Sequence, residues 1–210
     1  MNRILRKLPL WSYFCLCLAG IIIVLFLLPP EQTLGNGIRL IYLHAAWVWT
    51  GILLYTLSAG TAFIAILSHK IQHHHWSAAL GRAGLFFWLT YLPMSLWVMK
   101  LNWNGFFFAE PRWSIPFSLA VASLLMQVGV WVIHQPVLTS IANLGFGSIL
   151  IYNMSKLQSV LHPDSAIQSS GSIRIQVLFI LLLGITLITG LLFSNYIRLW
   201  TARFRQRNAR

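Results

Sequence analysis

From Ile175 to Ile197 no side chain carries a charge. A run of that length matches what a helix needs to cross the hydrocarbon core of a bilayer, about 20 residues. Comparable apolar stretches recur along the chain. The pattern predicts an all-α, polytopic membrane bundle of about six transmembrane helices, one integral membrane domain over residues 1–210, with spans near 9–29, 43–67, 83–100, 115–134, 137–155 and 175–197. The fifth is the faintest, because it starts at Pro136 and holds Asn143, Ser148 and Asn153. Pro93, inside the third, is expected to kink it. The first run follows Arg3, Arg6 and Lys7, as a signal peptide would. It is longer than a signal h-region and no small-x-small cleavage site follows, so it reads as a retained helix. Cys15 and Cys17 lie within it and read as small apolar residues.

Composition excludes a water-soluble alternative. Charged residues make up only 9% of the chain and apolar residues 58%, whereas a soluble domain carries roughly 25% charged residues. The formal net charge of +12 invites a nucleic-acid reading. The basic residues do not form one patch, however. They stand singly or in short runs between apolar segments, as topology signals do. Lipid, not nucleic acid, is the expected partner. With the N-terminus in the cytoplasm, the inner segments hold Arg3, Arg6, Lys7, Lys70, Arg82, Arg198, Arg203, Arg205, Arg207 and Arg210. The outer segments then hold Arg39, Lys100, Arg112, Lys156 and Arg174, together with all three acids, Glu31, Glu110 and Asp164. The basic excess falls inside, and six spans return the basic C-terminus to that face. Three outer segments result, 30–42, 101–114 and 156–174, and the inner turn at His134-Gln135-Pro136 is very short.

Chemistry-bearing residues are few. No Ser/His/Asp or Cys/His arrangement suggests hydrolysis, and three carboxylates do not make a proton relay through the membrane, so the chain does not read as an enzyme. His69, His73, His74 and His75 read as a solvated inner loop, and His134 as a satisfied interfacial histidine. His44 and His162 differ. They are expected at one depth, at the start of span two and after span five, where two imidazoles on opposite sides of a cleft suit the axial positions of heme iron. Trp47 and Gly51 share the helix face of His44. An aromatic there covers a porphyrin, and a glycine lets its plane approach the backbone. The outer segment between them carries Trp103, Gly105, Phe106, Phe107, Phe108 and Trp113. Porphyrin needs aromatic surface for its face and cations for its propionates. Arg39, Arg112, Lys100, Lys156 and Arg174 are placed to supply the cations.

Three local stretches then carry a resemblance. Ile38-Arg39-Leu40-Ile41-Tyr42-Leu43-His44-Ala45-Ala46-Trp47, Glu110-Pro111-Arg112-Trp113-Ser114 and Leu161-His162-Pro163 follow one another in the order found in the cytochrome c assembly proteins. The chain resembles that heme-handling membrane family, closest to its six-helix CcmC heme-delivery type. The family's outer loop is richer in tryptophan; here Phe106, Phe107 and Phe108 stand in place of indoles and Glu110 in place of the aspartate. The resemblance implies a transiently bound heme b with His44 and His162 as axial ligands. It also implies an aromatic platform of Trp47, Trp103, Phe106, Phe107, Phe108 and Trp113, and propionate contacts from Arg112 and Arg39. It further implies a bacterial inner-membrane protein with its heme site facing the periplasm. Such a protein handles heme rather than catalysing, at most as part of a heme lyase system. It hands heme to a chaperone or apocytochrome, beside the subunits of an ABC-type maturation complex. The competing readings are a transporter subunit, which wants ionisable residues at mid-depth where only Gln127 and Asn143 stand, and a heme b electron-transfer subunit, which wants facing histidine pairs at both depths.

Overall fold

The computed structural model describes residues 9–30, 37–157, 167 and 171–208, with side chains through residue 204. Among the described residues there are six helices and no strand: α1 (Leu10–Leu27), α2 (Ile38–Ser68), α3 (Ile71–Trp103), α4 (Pro111–Ile133), α5 (Pro136–Ser155) and α6 (Ile173–Asn208). All six are long and apolar enough to cross a membrane. The protein is a multi-pass membrane helical bundle. A bilayer enforces this, since a spanning segment must satisfy every backbone N–H and C=O internally.

The helix ends follow from local chemistry. Leu28 is extended, as the residue before Pro29 must be, and this stops α1. Pro111 and Pro136 open α4 and α5, where a missing N–H costs nothing. α2, α3 and α4 each close on a left-handed residue, His69 (φ 55°), Asn104 (φ 51°) and His134 (φ 59°). The N–H of each reaches back to the carbonyl four residues earlier, the role glycine usually takes. Only His69–Lys70 separates α2 from α3, and only His134–Gln135 separates α4 from α5. Both two-residue turns lie at one end of the bundle, the turn end. The 104–110 segment lies at the other, the loop end.

Several helices outrun their expected spans. α3 starts at Ile71 rather than near 83, so His73, His74 and His75 fall within its first five residues instead of a loop. α6 continues to Asn208, beyond the expected stop near 197. The helix also runs through Pro93 without a break. Hydropathy reports the hydrocarbon layer alone, whereas a helix continues into the interface as long as its backbone bonds are met.

α2 packs on α1, α3, α5 and α6, and α3 on α2, α4, α5 and α6, so this pair forms the centre. Close approach depends on small residues. A Cβ on Gly147 of α5 would stand 2.6 Å from the Ala59 Cβ of α2. Polar groups are inside: Thr50 donates to Thr186 at 2.9 Å, and Ser58 donates to the Ser77 carbonyl at 2.8 Å. Many large apolar side chains are exposed, among them Leu125, Val128 and Ile180. Lipid, not water, covers such a surface.

Candidate functional site

α2 and α3 form an antiparallel hairpin whose register is fixed by the two-residue turn. In it His44, in the second turn of α2, lies against Tyr91 of α3. The half-buried imidazole meets the Tyr91 ring edge-on, with centroids 5.8 Å apart and planes at 61°. Tyr91 in turn stands edge-on to Trp88 at 5.1 Å. The Tyr91 hydroxyl is buried and has no hydrogen-bond partner among the described residues. Trp47, one turn below His44, donates its indole N–H to Thr90 Oγ1 at 2.8 Å and lies on Phe87 at 4.5 Å.

Gly51 departs from expectation. A Cβ built there would meet Trp88 Cε3 at 3.2 Å, and Trp88 is fully buried. The slot that sequence reserves for a flat ligand is filled by an indole of α3. Gly51 faces α3 at a helix–helix contact, and Trp47 is half-buried one turn away.

In and around the 104–110 segment the rings form two groups. Trp103 meets Phe107 edge-on at 6.2 Å, Phe106 stacks with Phe108 at 6.1 Å, Phe108 leans on Trp113 at 6.0 Å, and Trp113 stacks with Phe117 at 5.9 Å. Trp113 is buried, whereas Phe106, Phe107 and Phe108 are exposed. The turn holds itself: the Glu110 N–H donates to the Phe107 carbonyl at 3.1 Å, and the Glu110 carbonyl caps α4 by accepting from Trp113 at 2.8 Å and Ser114 at 2.9 Å. Tyr91 and Trp103 lie twelve residues apart on one helix, roughly 18 Å at 1.5 Å per residue. His44 therefore sits about three helical turns below the first of these rings.

Arg39 has a structural task. Its guanidinium lies over the Phe26 ring, 5.0 Å from the centroid, and donates to the Phe26 carbonyl at 3.4 Å. Arg174 donates to the neighbouring Leu27 carbonyl at 3.1 Å. Two of the five expected outer cations thus cap the C-terminus of α1, where orphan carbonyls and the helix dipole attract positive charge. Arg112 is half-buried in the first turn of α4, and Lys100 and Lys156 are exposed. His162 lies outside the described residues. Among the described residues no group of three or more His, Cys, Asp or Glu side chains is arranged to hold a metal ion.

Neither a family model nor a curated protein matches this chain.

Sequence reasoning missed Trp88, Thr90 and Tyr91. The signal was present only in part: a two-residue turn at 69–70 sets 51 against 88, whereas 47 meets 90 and 44 meets 91 rather than 92 and 95. Trp88 fills the space beside Gly51, so no flat group inserts between α2 and α3 there.

Proposed function

We propose that the protein binds heme b at the loop end and passes it on for cytochrome c maturation. The observation that carries this is the pairing of His44, half-buried in the second turn of α2, with exposed rings at the same end of the bundle. An imidazole supplies a bond to iron, and Phe106, Phe107 and Phe108 offer carbon surface to a porphyrin face. Arg112, in the first turn of α4 at the loop end, is the cation this reading assigns to a propionate; Arg39 and Arg174 are engaged on α1. His162 is the second axial ligand in this reading. Heme is cargo here: an open rim lets an acceptor's own ligand compete for the iron and lets the product leave. The acceptor is a heme chaperone or apocytochrome, and the loop end faces the periplasm of a bacterial inner membrane.

The experiment is a visible spectrum of the chain purified in mild detergent, beside His44→Ala and His162→Ala. A single low-spin heme b signal, lost in either variant, supports heme handling. Two spectrally distinct hemes point to electron transfer, and a chain that takes up no heme on reconstitution removes the reading.

A further inference from the structure

Of the two ring nitrogens of a histidine, Nδ1 stands beside the Cβ stem, where a macrocycle would run into the histidine's own helix. Iron held in a porphyrin therefore takes Nε2, with the porphyrin plane lying across that nitrogen. In this structure His44 is half-buried, and its Nε2 is buried. No macrocycle fits across a buried nitrogen, so the imidazole or what covers it has to move first. Tyr91 packs against the imidazole, edge-on at 5.8 Å with planes at 61°, and is itself 2% exposed.

The backbones around this contact are fastened close by. Trp47, one turn along α2 from His44, donates its indole N–H to Thr90 Oγ1 of α3, the neighbour of Tyr91. Trp88, fully buried and edge-on to Tyr91 at 5.1 Å, donates its indole N–H to the Pro116 carbonyl of α4 at 3.2 Å. With α2, α3 and α4 tied together there, the contact opens by rotation of a side chain between staggered rotamers rather than by parting of the helices. We propose that Tyr91 is a positioning residue for His44: its ring holds the imidazole with Nε2 covered, and this contact breaks when a ligand takes the nitrogen. The arrangement selects for a large aromatic ligand. A porphyrin brings aromatic surface against the imidazole in place of the Tyr91 ring, whereas a hydrated metal ion brings none. The inference rests on the proposed function for the identity of that ligand, heme; the covering of His44 is tested without it.

The test measures access to His44 in the heme-free full chain in mild detergent. Diethyl pyrocarbonate acylates imidazole nitrogens that it reaches, and peptide mass spectrometry reads each histidine separately, with the exposed His69 as internal reference. A minor open state populated at about 10% or less makes His44 react at least about tenfold more slowly than His69. Tyr91→Leu, which keeps apolar bulk but removes the ring, takes away most of that protection. Tyr91→Phe, which keeps the ring, restores it, and the His69 rate stays the same throughout. Should Tyr91→Leu fail to fold, Tyr91→Met takes its place. In a second arm hemin is added, and its association is faster in Tyr91→Leu than in the unaltered chain or Tyr91→Phe. A His44 that reacts as fast as His69 in the unaltered chain, protection that survives Tyr91→Leu, protection lost equally in Tyr91→Phe, or one hemin association rate in all three chains would each overturn the assignment. Protection lost in Tyr91→Leu, in a chain that takes up no hemin, upholds the covering of His44 and removes the heme reading instead.

Discussion

Toward the two-residue turns, α2, α3, α4 and α5 meet through amides and hydroxyls; toward the 104–110 segment the same hairpin meets through rings. In the first half, Gln127 of α4 donates to Asn143 Oδ1 of α5 at 2.8 Å, and Asn143 donates to the Ser77 carbonyl of α3 at 3.0 Å and to its hydroxyl at 3.1 Å. Ser58 of α2 shares that carbonyl, and His74 and Ser140 share a hydrogen bond at 2.7 Å. In the second half, His44 and Trp88 each meet Tyr91 edge to face, and Trp47 lies tilted on Phe87. A directional network specifies one arrangement and tolerates little change. Packed rings are less directional, and exposed rings stand at the same end of the bundle. The contrast assigns locking to the turn half; the proposed binding rests on the other.

The sharpest way to break this contrast is Asn143→Leu. It removes three interhelical bonds, each worth ~0.6 kcal/mol in a membrane, so the expected loss is roughly 2 kcal/mol, read from unfolding in mixed micelles. Gly81→Ala comes next. A Cβ there would stand 2.8 Å from Asn143 Oδ1 and 2.9 Å from Gln127 Nε2, and overpacking of that kind costs about 1–2 kcal/mol. A matched pair sharpens the comparison further. Tyr55→Phe breaks the hydrogen bond to Ser123 and is expected to lose about 0.6 kcal/mol. Tyr91→Phe deletes a buried hydroxyl that has no partner among the described residues and is expected to leave stability unchanged or slightly raised. Equal losses in the pair would erase the distinction between the halves. The smallest effect belongs to Phe107→Ala among the exposed rings, within about 0.5 kcal/mol in stability but with a measurable fall in heme affinity.

The sequence carried the spans, the short turn at His134–Gln135 and the gathering of aromatic residues between α3 and α4, because each of these is written in local composition. The polar residues were harder to read. Asn143, Ser148 and Asn153 weaken the hydropathy of α5, yet Ser148 donates to the Leu144 carbonyl at 2.9 Å and Asn153 to the Ile149 carbonyl at 2.8 Å, each one turn back on its own helix. Such bonds hide a polar side chain from lipid without any partner helix. Asn143 is hidden by tertiary contacts instead, and nothing in its neighbours distinguishes it from the other two. His74 shows the same difficulty: it sits in a histidine run that looks solvated, but the start of α3 turns it inward to Ser140. Arg39 looks like a propionate ligand because its contact, the end of α1, lies thirteen residues upstream across a connecting segment. The filling of the Gly51 slot by Trp88 depends on the hairpin register, which one or two residues in the turn decide.

The most direct measurement is heme bound per chain after purification, taken on the unaltered protein, His44→Ala, His162→Ala and the double variant. One heme per chain is expected in the unaltered protein, with either single substitution losing as much as both together. A His44→Ala protein that is folded and keeps its full complement of heme would contradict the placement of the binding site at the loop end.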